Sequence, residues 1–235
     1  MTLTSGNRKE CRMTQKRTHE PHEREVETRI KDAELIEIRR KQIIEGALRV
    51  FTKKGFHDAT VREIADEAGL TMGSLYNYIR TKEDIIFVVY DYVTKFLREE
   101  MRKAIQGITD PEERLKAALQ QNLNAVNQHQ DTIMFLYKAS ALLSKESLYV
   151  VLERETEYIE LFEDLLKEYF KGQDIDKDRL RIAADLLPYI PVIVSLRRWS
   201  LKRRFDSIDA VMEGILEFIL RGIGFISEKP EATTS

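Results

Sequence analysis

The sequence contains a single cysteine, Cys11, so no disulfide can form within the chain. It also lacks a long apolar run. The longest one, residues 186–196, is interrupted by Pro188 and Pro191 and falls short of the roughly 20 residues that a membrane helix requires. The N-terminal residues are charged from Arg8 onward and contain no apolar segment typical of a secretion signal. These absences predict a cytoplasmic protein without a membrane span.

Features of an enzyme are also missing. The sequence has no glycine-rich phosphate loop, no His/Cys cluster and no spacing that selects a Ser/His/Asp set. His19 and His22 are close in sequence, but no further metal ligand at helical spacing accompanies them. Paired acids such as Glu153 and Glu157 are more simply explained as a solvated helix face. We therefore predict no enzymatic activity, no cofactor and no metal site.

Charge is divided unevenly along a chain whose formal net charge is only −2. Residues 38–82 carry nine basic and five acidic side chains, whereas the residues after 82 carry 21 basic and 27 acidic ones. A small basic segment on an acidic body indicates a polyanionic partner for that segment alone. The apolar content of 43% is sufficient for a globular core.

The apolar residues repeat at helical spacing, and no region alternates with a period of two for long, so the pattern predicts an all-α fold. Apolar residues from Ile43 to Phe51 define a helix that ends near Gly55. Further helices are expected at 111–128, 131–143, 145–171, 177–203 and 206–226, with a kink at the prolines of the fourth. Capping signatures place four helix starts: Thr60 with Glu63, Thr71, Thr81 with Asp84, and Asp110 with Pro111.

Residues 61–79 have the spacing of a helix-turn-helix. Two helices that cross steeply need a small residue at the crossing, a turn residue free to take a positive φ, and apolar inward positions. Ala65 is the small residue and Gly69 the turn residue. The inward positions are Ile64, Ala68, Leu70, Leu75 and Ile79. An unrelated αα-hairpin is the alternative.

The outward face of the second helix is short of charge and rich in small, hydrogen-bonding groups. Such a face suits a DNA major groove, which is only about 12 Å wide. The base-reading candidates are Thr71, Met72, Gly73, Ser74, Asn77 and Tyr78. Phosphates would be met at the rim by Thr60, Arg62, Tyr76, Thr81 and Lys82. For each tyrosine, partial burial as a core aromatic is an equally good interpretation.

From about residue 39 to 86 the chain resembles the TetR-type bacterial transcription regulators. The similarity lies in "FTKKGF" and "ATVREIADEAGLTMGSLYNYIRTKEDI", where the family favours Thr-x-x-x-Ile-Ala, Gly-Val-Ser and Leu-Tyr-x-x-Phe-x-x-Lys. Ile79 stands where phenylalanine is usual, and Met72 stands where a polar residue is frequent. The resemblance implies DNA contacts by Arg62, Thr71, Met72, Gly73, Ser74, Tyr76, Asn77, Tyr78 and Lys82.

A homodimer is expected because one helix-turn-helix buries too little surface to select an operator. The helix at 206–226 is apolar on nearly all sides, which requires burial on two of them. A central helix of a monomer is the alternative. The resemblance implies a four-helix bundle formed by the last two long helices of each subunit. The candidate interface residues are Val192, Leu196, Trp199, Ile208, Val211, Met212, Ile215, Phe218 and Ile219.

The resemblance also implies an effector pocket between residues 83 and 205. Aromatic residues with polar tips suit a largely apolar ligand, although ordinary core packing is the alternative for each. The prolines should free carbonyls that could line a cavity. The candidate lining residues are Tyr92, Phe96, Met134, Phe135, Tyr137, Leu142, Tyr158, Phe162, Tyr189 and Ile193.

The run "RRWSLKRR", residues 197–204, could hold an anionic or lipid-like ligand, or could simply be a helix end that favours cations. Residues 180–224 loosely resemble regulators that respond to fatty acyl compounds, which suggests an acyl-like effector.

The predicted organisation is a charged N-terminal extension (1–37), partly disordered, a helix-turn-helix domain (38–82), a helical ligand-binding and dimerisation domain (83–228) and a disordered tail (229–235). The predicted function is a regulator, a repressor, that binds a palindromic double-stranded operator as a dimer and is released by a small effector. A helical adaptor or membrane-surface protein is the alternative.

Overall fold

A computed structural model describes residues 32–141 and 143–226. Residues 1–31 of the predicted extension, the whole predicted tail and Leu142 lie outside the described residues. Within the described ranges the chain is helical and contains no strand, as predicted, and none of its helices is long and apolar enough to cross a bilayer. The helices are α1 (Ala33–Asp58), α2 (Val61–Glu67), α3 (Met72–Leu75), α4 (Lys82–Ile105), α5 (Pro111–Gln128), α6 (Gln130–Ser140), α7 (Lys145–Tyr169), α8 (Lys177–Leu186), α9 (Val192–Arg204) and α10 (Ile208–Ile223), followed by a 3-10 turn (Gly224–Ile226).

Side-chain caps start the helices where the sequence predicts them. The Thr60 hydroxyl accepts from the Glu63 amide at 3.2 Å, while the Glu63 carboxylate accepts from the Thr60 amide at 3.0 Å. The same reciprocal pair forms at the start of α4, where Thr81 accepts from the Asp84 amide at 3.0 Å and Asp84 accepts from the Thr81 amide at 2.9 Å. Each pair satisfies two backbone donors that a helix start would otherwise leave without partners.

The single kinked helix predicted at 177–203 is wrong. The structure ends α8 and begins α9 separately, because Pro188 and Pro191 lack backbone donors and their rings clash with the preceding turn. The freed carbonyls of Leu187 and Pro188 accept hydrogen bonds from the buried Asn122 side chain at 3.4 and 3.2 Å. The expectation that the prolines free carbonyls beside a cavity is therefore confirmed, although an asparagine already occupies them.

The two largest hydrophobic cores of the described residues both include residues of α4, while a third, small cluster joins Val126, Ile133 and Val192. The first core joins α1–α4 with the inner faces of α6 and the start of α7. The second joins the far half of α4 with α5, α7, α8 and α10. Ile85 and Val89 are fully buried in the first core, whereas Met101 and Ile105 are buried in the second. One continuous helix thus packs against both ends of the molecule.

The first and second helices approach each other closely at Gly46, a position that the sequence interpretation missed. A Cβ atom at Gly46 would lie 2.9 Å from the amide nitrogen of Ala68 and 3.1 Å from the carbonyl oxygen of Ile64. These are backbone atoms, so they cannot move aside as a flexible side chain would. The absence of a side chain at Gly46 therefore sets the spacing between α1 and α2.

Replacing Gly46 with alanine should force α1 and α2 apart. Overpacking of this kind destabilises by about 1–3 kcal/mol. We expect G46A to lower the free energy of unfolding in urea by that amount. Gly73→Ala is the matched control, because a Cβ there meets nothing within 4 Å. Equal stability of the G46A and wild-type proteins would contradict the close approach.

Candidate DNA-binding surface and effector cavity

The helix-turn-helix predicted from residues 61–79 has the expected geometry. Gly69 adopts φ +68°, a backbone conformation that L side chains rarely take. The amide of Leu70 donates to the carbonyl of Ala65 at 2.8 Å, which closes the turn. The inward residues Ile64, Ala68, Leu70, Leu75 and Ile79 are all buried, as is Ala65. The turn and its apolar wedge are therefore confirmed.

The short helix α3 is held at its start by Thr71, whose hydroxyl accepts from the Ser74 amide at 3.1 Å. This cap satisfies one of the backbone donors at the start of α3. The exposed members of the predicted DNA-contacting set are Thr60, Arg62, Thr71, Gly73 and Tyr76, and its half-buried members are Met72, Ser74, Asn77 and Lys82. Together they form the outer surface of the helix-turn-helix.

The predicted outward placement of Tyr78 is wrong. Its side chain is only 4% exposed and belongs to the first hydrophobic core. The reason is its position three residues after the fully buried Leu75, which puts both residues on one face of the winding chain. Met72 is also drawn inward and packs partly against the same core, in agreement with its apolar character.

Lys82 is anchored rather than fully free at the rim. Its ammonium group donates to the carbonyl of His57 at 3.3 Å and lies 4.2 Å from the centroid of the Phe56 ring. Burial lowers the pKa of Lys82, although nearby acids oppose this effect. The side chain therefore ties the start of α4 to the end of α1 while remaining beside the proposed DNA surface.

Ion pairs fix α2 against α1. The Arg49 guanidinium contacts the Glu67 carboxylate at 2.6 Å and donates to the Glu67 carbonyl at 2.8 Å. At the other end of α2, Glu63 accepts from Lys54 and from the backbone and hydroxyl of Thr60. These hydrogen bonds, that of Lys54 first, lower the pKa of Glu63 to about 2.

A second site lies in the body, where α4, α5, α6, α7 and the turn after α8 meet. A cavity of about 70 Å³ lies next to a surface groove of about 580 Å³. Tyr137, Glu155, Tyr189 and Val192 line both spaces, and we call these four residues the neck. The cavity is also lined by Tyr90, Val93, Thr94, Leu97, Asn122, Val126, Ile133, Leu136, Tyr158 and Pro188, and the groove by Ile159, Asp185, Ile193 and Leu196.

The structure brings four of the predicted lining residues to this site. Tyr137, Tyr158 and Tyr189 line the cavity and Ile193 lines the groove. Five others do not line this site, as the alternative of ordinary packing allowed, because helical periodicity turns them to different faces, and Leu142 is outside the described residues. Phe135 stacks on Phe51 with a centroid distance of 4.6 Å, and the Phe96 and His129 rings meet edge to face with a centroid distance of 5.3 Å. Phe162 is fully buried in the second core, and Tyr92 packs against the first. Met134 is half-buried and does not line the site.

Two polar residues of the cavity were missed by the sequence interpretation. Asn122 is 2% exposed on an otherwise apolar face of α5, and its side chain accepts from the Tyr158 hydroxyl at 3.0 Å. A lone asparagine among buried aliphatic residues is a signal that could have identified it. Glu155 accepts from the Tyr90 hydroxyl, but it lies in a helix rich in other acids, and nothing in the sequence distinguishes it.

The tyrosine hydroxyls of the cavity remain protonated at neutral pH. Burial, followed by the negative charge of Glu155, raises the pKa of Tyr90, Tyr137 and Tyr189 above the ordinary tyrosine value. Burial alone raises the pKa of Tyr158. The site therefore presents hydroxyl groups, not phenolates, to whatever occupies it.

The predicted interface residues divide into three groups. Val192, Met212 and Ile219 are buried within their own subunit, at 7%, 6% and 3% exposure, which leaves little of these side chains for contact with a partner. Ile208, Val211 and Ile215 are half-buried. Leu196, Trp199 and Phe218 are 54%, 78% and 72% exposed. Ile182 and Leu186 on α8 and Ile193 on α9 extend this exposed apolar surface.

An exposed short helix set on a glycine turn, with its apolar face buried against two others, defines a helix-turn-helix DNA-binding protein. The body adds a ligand-sized groove that is separate from the DNA-binding surface. The described residues contain no group of three or more His, Cys, Asp or Glu side chains arranged to hold a metal ion.

Family models match two parts of the chain. Residues 43–89 match the bacterial regulatory proteins of the tetR family, and residues 108–223 match the C-terminal domain of tetracyclin-repressor-like proteins. The chain therefore belongs to the TetR family, and it is a ligand-responsive, DNA-binding transcriptional regulator. The alternative of a helical adaptor is set aside, because both models describe regulators.

Individual proteins show the same relationship. The HTH-type transcriptional regulator HbdR of Aromatoleum sp. is 26% identical over 191 residues, which are 81% of this chain and 83% of that protein. The fatty acid degradation regulator FadR of Bacillus halodurans has a TM-score of 0.61 at 23% identity, covering 82% of this chain and 97% of that chain. AibR in complex with isovaleryl coenzyme A and operator DNA has a TM-score of 0.57 at 21% identity, covering 80% of this chain and 98% of that chain. The likeness to these two structures shows the fold.

The low pKa of Glu63 makes a testable statement about the start of α2. A carboxyl group whose pKa is lowered by folding stabilises the folded state above its ordinary pKa of 4.5, and this contribution is lost as the pH falls toward about 2. NMR titration of the Glu63 carboxyl should give a pKa near 2. K54A should raise this pKa, because the hydrogen bond from Lys54 is the largest cause of its lowering. K53A is the matched control and should leave it unchanged; an equal shift in both variants would contradict the assignment.

Proposed function

We propose that this regulator is a repressor that binds a palindromic operator as a homodimer and releases it when an effector occupies the groove and the cavity of the body. The observation that carries the proposal is the course of α4. This helix begins immediately after the helix-turn-helix and places Tyr90, Val93, Thr94 and Leu97 in the wall of the cavity. A ligand that displaces α4 would therefore move the DNA-binding end.

Two further contacts connect the body to the helix-turn-helix domain. Phe135 on α6 stacks on Phe51 of α1, while Ile133, Leu136 and Tyr137 of the same helix line the cavity. The first turn of α4 is tied to α7, because Glu83 accepts from the Ser147 hydroxyl at 2.7 Å and from the Ser144 amide at 2.9 Å. Movement of α4 or α6 would thus be passed to α1 through packed side chains.

The proposed DNA-binding surface consists of exposed and half-buried residues of α2 and α3 and of the residues next to them in the chain. Base edges would be read by Thr71, Ser74 and Asn77 and by the open backbone at Gly73, while the Arg62 and Tyr76 side chains would meet phosphates on either side of the groove. Lys82 contributes a positive charge from the start of α4 and Thr60 a hydroxyl from the cap of α2. Tyr78 supports this surface from within the core.

Dimerisation is supported by the exposed apolar residues of α8, α9 and α10. Trp199 and Phe218 are largely exposed, and large aromatic side chains on a subunit surface are typical of interface anchors. A dimer would place two copies of α3 on successive turns of DNA, about 34–36 Å apart. Partner contacts through Leu196 would also lie beside the mouth of the groove, since Leu196 lines it.

The effector is proposed to be an amphipathic molecule of the acyl type. The groove volume of about 580 Å³ lies within the roughly 300–1,000 Å³ of small-molecule sites. Its aliphatic wall, formed by Ile159, Val192, Ile193 and Leu196, suits an apolar body. A similar fold occurs in AibR, which binds isovaleryl coenzyme A, and in FadR, a regulator of fatty acid degradation, and this supports the proposal of an acyl-type effector.

Arg62 provides a test of the DNA-binding surface. Loss of one phosphate contact should weaken binding to all sequences and reduce the slope of log affinity against log salt concentration by about 1. Fluorescence anisotropy with an operator selected from genomic fragments would measure this for R62A. Arg181→Ala on the exposed side of α8 is the matched control. An unchanged slope in R62A would exclude a phosphate contact there.

The proposed dimer surface can be tested by introducing a negative charge at its exposed aromatic residues. Glutamate at Trp199 or Phe218 would have to be desolvated in a subunit interface, which is strongly unfavourable for an unpaired carboxylate. Sedimentation velocity should therefore show a dimer for the wild-type protein and monomers for W199E and F218E, with helical content retained. L152E on α7 alters another exposed apolar residue and should remain dimeric. A monomeric wild-type protein would contradict the proposal directly.

A further inference from the structure

The neck between the cavity and the groove carries negative charge without a positive partner. Glu155 lines both spaces, and Asp185 lines the groove but not the cavity. None of the described residues that line either space is a lysine or an arginine. A ligand that enters the site therefore meets carboxylates and tyrosines but no cation.

Glu155 has little compensation from the protein. Its carboxylate accepts from the Tyr90 hydroxyl, and no described lysine or arginine forms an ion pair with it. Its neighbour Glu157, two residues later on α7, pairs with both Arg98 and Arg154. Arginines are thus close to this helix, but they are engaged on its other face. The charge of Glu155 is directed toward the ligand space.

Two further hydroxyl groups at the neck have no protein partner among the described residues. The rings of Tyr137 and Tyr189 meet edge to face with a centroid distance of 6.3 Å, and neither hydroxyl forms a hydrogen bond to a described side chain or backbone group. Hydroxyls can donate or accept, whereas an ionised carboxylate can only accept. The combination therefore favours a ligand group that donates to Glu155 and contacts the tyrosines.

The sizes of the two spaces determine which part of the ligand each can hold. The cavity of about 70 Å³ is roughly half of the ~150 Å³ that holds a benzene ring, so it accepts only a small terminal group. The body of the ligand must lie in the groove, and the part between them passes Glu155. In an apolar wall a carboxylate is stabilised by a donor and repels an anion more strongly than it would in water.

We infer that the effector carries a hydroxyl or an ammonium group beside an apolar body, and that Glu155 accepts a hydrogen bond from this group. The inference rests on the proposed function in taking the groove as the effector site. An acyl effector would then be one whose acyl part carries a donor, and a bare carboxylate at this point would be rejected. Asp185, which lines the groove alone, adds to the same selection.

The test uses four probes that share a butylphenyl body: 4-butylphenol, 4-butylbenzylamine, 4-butylanisole and 4-butylbenzoate. Isothermal titration calorimetry on the full-length protein without DNA should show the phenol or the amine binding at least about tenfold more tightly than the anisole and the benzoate, as expected for a hydrogen bond to a charged group. Preference for the phenol identifies a hydroxyl effector, and preference for the amine an ammonium effector. Equal or tighter binding of the benzoate, or no binding of any probe, would overturn the inference.

Variants of α7 test whether Glu155 is the residue that selects a hydrogen-bond donor over a carboxylate. E155Q keeps the shape of the side chain but removes its charge, so the preference for the donor probe over the benzoate should fall about tenfold or more. E153Q on the same helix does not line the site and should keep the wild-type preference. An unchanged preference in E155Q, with helical content retained, would contradict the role of Glu155. Binding without any effect on operator affinity would support this inference while contradicting the proposed release of DNA.

Discussion

The burial of α4 in both hydrophobic cores is the constraint on which the rest of the structure depends. Its start is fixed by Asp84, which is only 6% exposed and accepts from the amides of Arg80 and Thr81 at 3.1 and 2.9 Å. The orientation of the helix-turn-helix is therefore set by the direction in which α4 leaves it. Since the same helix forms one wall of the cavity, the position of the DNA-binding end and the shape of the ligand space cannot vary independently.

Close packing of the interior supports this coupling, because the helices that share a core move together when one of them is displaced. The Phe51–Phe135 stack and the contact of Glu83 with Ser147 join α1, α6, α7 and the first turn of α4 around one core. Close-packed side chains have few alternative arrangements, so a ligand that separates α4 from α6 would shift the helix-turn-helix rather than deform the wall. The groove at the far side of the cavity gives such a ligand its entry.

Local signals in the sequence predicted the helix-turn-helix well. Thr60, Thr81 and Gly69 act through their own backbone neighbours, so their roles can be read without knowledge of the fold. The inward face of the motif follows from spacing alone. Tyr78 was misplaced because an aromatic residue with a polar tip is compatible with both faces, and its burial depends on the core formed by α1 and α4. Gly46 was missed because a close approach between helices is a property of their packing.

The cavity was harder to predict, because it forms where distant segments meet. Tyr137, Tyr158 and Tyr189 were selected as aromatic residues with polar tips, and all three line it. Phe135 and Phe162 were selected as aromatic residues as well, but they have no polar tip and face the cores. Glu155 could not be identified, because its role depends on Tyr90, 65 residues away in the sequence. The proline-induced break between α8 and α9 was underestimated as a kink for the same reason, since Asn122 stabilises the opened turn.

The most direct test of the account is the distance between the two DNA-binding ends of the dimer with and without ligand. Spin labels at Lys53→Cys in a Cys11→Ser background would report this separation by pulsed electron paramagnetic resonance. The account predicts one distance distribution for the protein bound to its operator, where the α3 helices lie about 34–36 Å apart, and a displaced distribution when the tightest-binding butylphenyl probe saturates the groove. Identical distributions in the two states, at full occupancy of the groove, would contradict it.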